Sequence, residues 1–193
     1  MVRAKQVKVV VGLGNPGAEY EATRHNVGWW VVEAVRRAWG FPAFRSQGAA
    51  RFSDGARAGD VVLLVEPLTY MNRSGSAVAP LARLEGFDVA GDLLIVVDDV
   101  NLAIGRVRLR PAGSAGGHNG LRSVEAALGT REYARLRIGV GAKPPGEELA
   151  GWVLSPMPPD EEEIVAGLLP HLVGCVEAWL ERGAEAAMHG CNR

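Results

Sequence analysis

Short apolar runs of strand character alternate along this chain with segments of helical periodicity. The strand-like runs are 7–13, 60–65, 93–97, 106–110 and 135–140. Helical patterns cover about 27–39, 74–84 and 121–128, and a longer helical region follows a proline cluster near residue 158. This alternation predicts an α/β fold: a mixed, twisted β-sheet flanked by helices on both faces, with a C-terminal helical segment.

The size and composition of the chain are those of one soluble globular domain. It has 193 residues, of which 48% are hydrophobic and 22% charged, and no repeat or long linker divides it. We therefore expect a single domain over 1–193. Its apolar runs are too short to cross a bilayer, and the N-terminus lacks the apolar block of a signal peptide.

The cysteine content points to a reducing compartment. Only Cys175 and Cys191 occur, without the paired spacing of a zinc site. Two cysteines also make a poor disulfide framework, so we expect free thiols. The sequence thus predicts a cytoplasmic protein that binds no membrane.

Charge is segregated in the second half of the chain, although the formal net charge is only -1. Between 101 and 143, eight basic side chains stand against two acidic ones, and from 144 onward nine acidic stand against two basic. The arginines at 106, 108 and 110 share one strand face, and Arg135 and Arg137 share another. Such rows match a phosphate backbone, although a merely solvated face has the same pattern.

The segment 12–17, Gly-Leu-Gly-Asn-Pro-Gly, matches the G-x-G-x-x-G pattern of dinucleotide sites. Such a site needs a helix that begins inside the motif. Here Pro16 lacks an N–H group, and helical periodicity begins only near residue 27. We interpret the motif as a tight turn that holds Asn15 at the end of a strand.

Four polar groups follow predicted strands, at the edge where open α/β sheets bind ligands. They are Asn15, Tyr70-Met71-Asn72, Asp98-Asp99 and His118-Asn119. Each alone is more often a turn residue than a ligand. Their convergence from four crossings favours a functional site.

His25, between the first strand and the first helix, is the candidate general base. A neutral imidazole can take this role when a carboxylate orients it and stabilises its charged form. Asp98 suits that role because it ends an apolar strand, whereas Asp99 points to the opposite face. The alternatives are a histidine that donates to a carbonyl at the start of a helix, and an aspartate pair that holds a metal, for which further oxygen ligands are lacking nearby.

No serine or cysteine occupies a nucleophile elbow, so a hydrolase built from these residues has to activate water. The amides of Asn15, Asn72 and Asn119 can donate to a developing oxyanion or accept from a substrate N–H. The glycine-rich loop 113–120 opens a helix and can offer N–H groups to a phosphate, although such loops also serve as plain connections.

Six runs of this sequence resemble bacterial peptidyl-tRNA hydrolases in order and spacing, and the likeness covers nearly the whole chain. The runs are VGLGNPGAEY (11–20), TRHNVG (23–28), PLTYMNRSG (67–75), DDVNL (98–102), GGHNGL (116–121) and RLRIGVG (135–141). The resemblance implies a monomeric α/β enzyme that hydrolyses the ester between an N-blocked peptide and tRNA, without a cofactor or metal.

The resemblance also implies roles for individual residues. His25 matches the general base, Asp98 its supporting carboxylate, and Asn15 the residue that favours blocked over free aminoacyl ends. The positions around the tRNA 3′ end and the peptide are matched by Tyr20, Tyr70, Met71, Asn72 and Asn119. Arg110 and Arg137 match basic positions that meet the tRNA backbone. Ala115 departs from a further histidine that many members carry, which puts one loop contact with tRNA in doubt.

Two other functions remain open at this stage. One is an RNA-associated binding module of the same fold without catalysis, against which the intact set of His25, Asp98 and three asparagines argues. The other is a nucleotide-dependent oxidoreductase, which would have to bind NAD, and we expect this protein not to bind it. The acidic C-terminal helical region can either cover the cleft or pack on the sheet.

Overall fold

The computed structural model describes residues 6–193, so residues 1–5, on which the expectation about a signal peptide partly rests, lie outside it. Seven strands form one sheet in the order β2-β3-β4-β1-β5-β7-β6. Their bounds are β1 Val7–Gly12, β2 Arg45–Gln47, β3 Ala50–Arg57, β4 Asp60–Pro67, β5 Leu93–Asp99, β6 Val107–Arg110 and β7 Ala134–Gly139. The helices are α1 Val27–Trp39, α2 Ser74–Val78, α3 Val89–Asp92, α4 Asn119–Leu128, α5 Leu149–Val153 and α6 Pro159–Cys191.

The sheet is mixed, as predicted. The central strands β4, β1, β5 and β7 run parallel, so that Val10 of β1 lies between Leu64 of β4 and Leu94 of β5. Antiparallel strands complete both sides: β2 and β3 beyond β4, and β6 beyond β7. The carboxyl ends of the parallel strands therefore meet at one edge, where the predicted polar groups lie.

Helices cover both faces of the sheet. α1 and α6 pack on a core that includes Val10, Val96 and Leu136, and α2 and α4 pack on a core that includes Val11 and Ile95. The start of α1 approaches the sheet closely at Gly28. A Cβ atom there would lie 2.5 Å from the carbonyl oxygen of Leu13 and 2.6 Å from that of Val96, so only glycine fits.

Several elements differ from the sequence-based expectation. The hairpin β2–β3 was not predicted, because the run ARFSDGAR has no period-two alternation. The helix expected over 74–84 is divided into α2 and a 3-10 turn at Ala79–Arg83, and a further 3-10 turn at Met71–Arg73 precedes it. Pro80 lacks the N–H group that a continuous α-helix needs. α5 was also not predicted.

α6 is long and apolar enough, by length and composition, to cross a membrane. Length and composition alone are weak evidence for a membrane span, since core helices of soluble proteins are often as long and as apolar. Leu172, Val176 and Trp179 of α6 are buried in the core that α1 and the sheet share. The helix therefore packs on the sheet, one of the two placements considered for the C-terminal region.

The backbone of α6 breaks at Gly183, which has φ 76° and ψ 169°. A straight helix would separate Cys175 from Cys191 by about 24 Å at the usual rise per residue. Because the chain turns back at Gly183, their Cα atoms are 5.3 Å apart and the two residues form a disulfide, so the expectation of free thiols was wrong. After the turn, the backbone of Arg193 pairs with Val107 at the start of β6.

Candidate active site

A cavity of about 480 Å³ opens at the carboxyl edge of the parallel strands. One wall is formed by α5, and the polar lining comes from His25, Asp98, Asp99, Asn101, His118, Asn119 and Arg137. A larger groove of about 750 Å³ lies between α1 and β3, away from the histidines. Its arginines are paired with Glu33 and Glu66, so the cavity at the strand ends is the better candidate for chemistry.

His25 lies within hydrogen-bond reach of Asp98, as the sequence predicts. The distance between Nδ1 of His25 and Oδ1 of Asp98 is 2.8 Å. His25 occupies the 3-10 turn Arg24–Asn26 directly before α1, and Asp98 is the penultimate residue of β5. Both residues are buried. With Nδ1–H donated to the carboxylate, Nε2 of His25 carries the lone pair and can accept a proton.

His118 contacts the same carboxylate oxygen from the other side, with 2.9 Å between its Nε2 and Oδ1 of Asp98. It is the N-cap of α4, and its Nδ1 accepts a hydrogen bond from the backbone N–H of Leu121 at 3.2 Å. Because Nδ1 is an acceptor, the proton of neutral His118 is on Nε2, which donates to Asp98. One oxygen of Asp98 thus accepts from two imidazoles.

Asp98 remains ionised despite its position. Burial opposes ionisation, but the hydrogen bonds of His25 and His118, and their charges when protonated, outweigh it and hold the pKa of Asp98 well below its ordinary range. Asp98 is therefore a carboxylate at neutral pH, which favours the protonated form of His25 after proton transfer.

Asn15 is held rigidly at the end of β1. Its Oδ1 accepts from the backbone N–H of Met71 at 2.7 Å. The side chain of Asn26 bonds both the N–H and the C=O of Asn15, each at 2.9 Å. Since Oδ1 already accepts from Met71, the Nδ2 group of Asn15 is its donor for a ligand.

Comparison with known proteins agrees with this architecture. The model of the family described as Peptidyl-tRNA hydrolase matches residues 9–193. This chain belongs to the peptidyl-tRNA hydrolase family. The resemblance drawn from the sequence motifs is confirmed.

Curated peptidyl-tRNA hydrolases are similar to this chain over nearly its full length. The protein of Gemmatimonas aurantiaca is 45% identical over 97% of this chain and 100% of its own length. That of Symbiobacterium thermophilum is 48% identical over 96% and 98%. The crystal structure of peptidyl-tRNA hydrolase from Acinetobacter baumannii superimposes with a TM-score of 0.89 at 34% identity, covering 96% of this chain and 94% of that one. The predicted fold class is thereby confirmed.

Of the residues that the family resemblance assigns to the tRNA 3′ end and the peptide, Asn119 lines the cavity, and the others lie outside its lining. Tyr20 and Tyr70 pack edge to face with ring centroids 6.4 Å apart, and Tyr70 is 57% exposed. Met71 is buried beside Asn15. Asn72 and Asn119 are exposed, which leaves their amides accessible to a substrate.

The two predicted rows of arginines have different environments. Arg108 and Arg110 are exposed on β6, at one side of the sheet, in agreement with a solvent-facing row. Arg135 is 1% exposed and Arg137 is 9% exposed. β7 lies between β5 and β6 and is covered on both faces, so the expectation that Arg135 and Arg137 form an open phosphate-binding row was wrong.

Both buried arginines of β7 instead organise the glycine-rich loop of this peptidyl-tRNA hydrolase family member. Arg137 pairs with Asp99 at 3.0 Å and donates to the carbonyl oxygens of Ser114 and Ala115. Arg135 donates to the carbonyl oxygen of Gly113 and to that of Ser114. These contacts fix the loop that carries His118 and Asn119. A direct contact of Arg137 with tRNA stays a prediction.

Three side chains at this site have the composition of a metal centre. The ligand atoms of His25, Asp98 and His118 lie within 4.8 Å of one another. A metal on Nε2 of His118 would require the proton to move to Nδ1, where the N–H of Leu121 now donates. The hydrogen bonds therefore suit a proton-relay arrangement better than a metal site.

Sequence reasoning missed the role of His118 as the second partner of Asp98, and that of Asn26, which holds Asn15. The signal for His118 was present, since it follows two glycines and precedes a helical pattern, the position of an N-cap. Asn26 adjoins His25 in the TRHNVG run, but nothing in its local pattern indicates a contact with Asn15.

Proposed function

We propose that this protein hydrolyses the ester bond between an N-blocked peptide and tRNA, releasing free peptide and free tRNA, with His25 as the general base. The observation that carries the proposal is the buried hydrogen bond between Nδ1 of His25 and Asp98. It leaves Nε2 unprotonated at the cavity that His118 and Asn119 also line.

In the proposed reaction a water molecule hydrogen-bonded to Nε2 of His25 attacks the ester carbonyl carbon. His25 takes a proton from the water as the new C–O bond forms, and Asp98 stabilises the resulting imidazolium. The tetrahedral intermediate then collapses with cleavage of the bond to the ribose oxygen, which receives the proton from His25. The products are a peptide with a free carboxylate and a tRNA with a free terminal hydroxyl.

Asparagine side chains supply the uncharged donors that this mechanism needs. The Nδ2 group of Asn15 and the exposed amides of Asn72 and Asn119 are the candidates for hydrogen bonds to the developing oxyanion and to the peptide backbone. Asn15 is also the residue we assign to the preference for blocked over free aminoacyl ends, because its orientation is fixed by Met71 and Asn26.

For the tRNA, we assign the terminal nucleotides to Tyr20, Tyr70 and the adjacent Met71 and Asn72. The exposed ring of Tyr70, which Tyr20 contacts edge to face, offers a face on which a base stacks. The phosphate backbone is assigned to the exposed arginines of β6, foremost Arg110. Arg137 contributes through the loop that it holds. We further propose that the protein acts as a cytoplasmic monomer without a cofactor or metal; this location rests on the tRNA substrate and not on the two cysteines, which are paired.

The direct test is to incubate the purified protein with N-acetyl-aminoacyl-tRNA and to measure release of the acetylated amino acid. Aminoacyl-tRNA with a free amino group is the matched control. Cleavage of the blocked substrate alone supports the proposal. Binding of tRNA without cleavage would instead identify an RNA-binding module of the same fold.

A further inference from the structure

Arg24 is a buried cation that directly precedes His25, and it is only 1% exposed. Its Nη1 donates to Oγ of Ser155 at 2.6 Å and to the carbonyl oxygen of Pro156 at 3.1 Å. Its Nη2 donates to Glu161 at 2.7 Å. The guanidinium carbon also lies 3.6 Å from the ring centroid of Trp152. A flat group with several donors in a fixed fork can make all these contacts together, which a lysine ammonium cannot.

The segment 149–157, which these contacts hold, forms one wall of the catalytic cavity. Leu149, Ala150 and Val153 of α5 line that cavity beside His25. Leu149 is 42% exposed although it is apolar, so it offers an apolar surface to a ligand in the cavity. None of these three wall residues carries a charge.

Backbone contacts also join this segment to the residues just before His25. The N–H of Arg24 donates to the carbonyl oxygen of Ser155 at 3.3 Å, and the N–H of Met157 donates to that of Ala22 at 3.4 Å. Thr23 and Pro156 form an isolated β-bridge. The wall and the base are therefore joined at one junction, and the side chain of Arg24 fills it.

We propose that Arg24 is a positioning residue that fastens the wall formed by Leu149, Ala150 and Val153 to the segment that carries His25. The wall then meets the substrate at a fixed distance from the base. Because it is uncharged, its counterpart is the apolar side chain of the amino acid esterified to the tRNA, not a phosphate. This inference rests on the proposed function for its substrate, but the coupling of the two segments can be measured without substrate.

The first test compares Arg24→Lys with the wild-type protein in the hydrolysis of an N-acetylated aminoacyl-tRNA that carries an apolar side chain. We expect KM to rise by about tenfold, the effect of losing one or two hydrogen bonds to a charged group, and kcat to change by no more than about threefold. Arg36→Lys is the matched control. Arg36 also bonds a backbone carbonyl and a glutamate, but it lies away from the cavity, so its KM should be unchanged.

The second test measures amide hydrogen exchange of the free proteins. Arg24→Lys should speed exchange in 149–157 and leave α1 protected, whereas general loosening would raise exchange in both. If Arg24→Lys does not fold, Ser155→Ala removes the hydrogen bond from Arg24 together with the one that Ser155 donates to the carbonyl oxygen of Trp152, and should raise KM by about twofold to threefold.

The outcomes separate this proposal from the proposed function. A wild-type protein without hydrolytic activity would contradict the function, while faster exchange confined to 149–157 would still support the junction. A fall in kcat at constant KM would show that Arg24 acts on the base and would overturn the proposal. Unchanged exchange in 149–157 would overturn it as well.

Discussion

His118 donates from Nε2 to Oδ1 of Asp98 across 2.9 Å, and the backbone N–H of Leu121 fixes the tautomer that allows it. Asp98 would otherwise have a single imidazole partner in a buried position. The second donor lowers the cost of keeping the carboxylate ionised. It also prevents that oxygen from turning away from His25.

His118→Ala should therefore weaken catalysis without abolishing it. Removing one donor leaves the carboxylate with His25 alone and raises the pKa of Asp98 toward its ordinary value, so the imidazolium of His25 is stabilised less well during turnover. We expect a loss of about tenfold in kcat at neutral pH, about the effect of one charged hydrogen bond. A kcat at neutral pH equal to that of wild type would contradict this role.

His25→Ala should remove the base while leaving the binding surface intact. General-base catalysis contributes about 10²–10⁴-fold, and we expect kcat to fall by that factor. The affinity for tRNA, measured by titration at fixed salt, should change by less than about twofold, because replacing a neutral imidazole removes no cationic contact with phosphate. His189→Ala, on an exposed position of α6, is the control and should retain full activity. Near-normal turnover of the His25 variant would end the proposed mechanism.

Asp98→Asn tests whether the carboxylate sets the tautomer of His25. An amide can present its N–H to Nδ1, which would move the imidazole proton to Nε2 and leave no lone pair for the water. We expect kcat to fall by at least about 10²-fold, with KM little changed. The decisive measurement is single-turnover hydrolysis over a range of pH. A rate and profile equal to those of wild type would remove Asp98 from the mechanism.

Arg110→Gln tests the placement of the tRNA backbone along β6. Each phosphate contact contributes to the dependence of binding on salt, so the slope of log affinity against log salt concentration should become shallower by about 0.7–0.9. Arg45→Gln is a suitable control, because Arg45 is also exposed on a strand but lies on β2, at the opposite side of the sheet. Equal salt slopes for the two variants would show that the tRNA backbone binds at a surface other than β6.

Glu66 predicts a pH dependence of stability that is independent of catalysis. Its burial raises its pKa from 4.5 to about 7, although the adjacent Arg51 acts in the opposite direction. The folded state thus holds a proton that the unfolded state releases, and the free energy of unfolding should fall by up to about 3 kcal/mol as pH rises from 4.5 to 7.

Urea unfolding at a series of pH values checks this expectation. The side chain in Glu66→Gln stays neutral throughout, so the free energy of unfolding of this variant should no longer fall over that pH range. Loss of the ion pair to Arg51 can shift the level of that free energy but not restore the fall. Glu185→Gln is the control, because Glu185 is exposed on α6 and its charge is not among those that act on Glu66, so its variant should keep the wild-type decline between pH 5 and 7. A Glu66 variant with an unchanged slope would refute the assignment.

Much of the fold and the central pair of the site follow from local sequence patterns. The strand that leads to Asp98 is a continuous apolar run, and its period of two places Asp98 and Asp99 on opposite faces. The structure agrees, because Asp98 contacts His25 and Asp99 contacts Arg137. The burial of Arg135 could not be predicted in this way. It depends on β7 being an inner strand, which is a property of strand order and not of the alternation within one strand.

Other contacts depend on long-range packing that no local pattern encodes. The pairing of Cys175 with Cys191 requires the reversal at Gly183, which composition alone does not place. The junction of Arg24 joins residues more than 130 positions apart in the sequence. A lone arginine beside a histidine gives no sign of such a partner.

The pairing of Arg193 with Val107 has a consequence for association between molecules. A bare strand at the margin of a sheet is a template on which a second chain can add its own backbone, the usual route to aggregation of β-rich proteins. Here the N–H and C=O of Val107 are already taken by the returning C-terminal segment, and the side chain of Asn192 occupies the N–H of Leu109. The outer flank of β6 therefore offers a neighbouring copy little free main chain, and its arginines remain open to a polyanion.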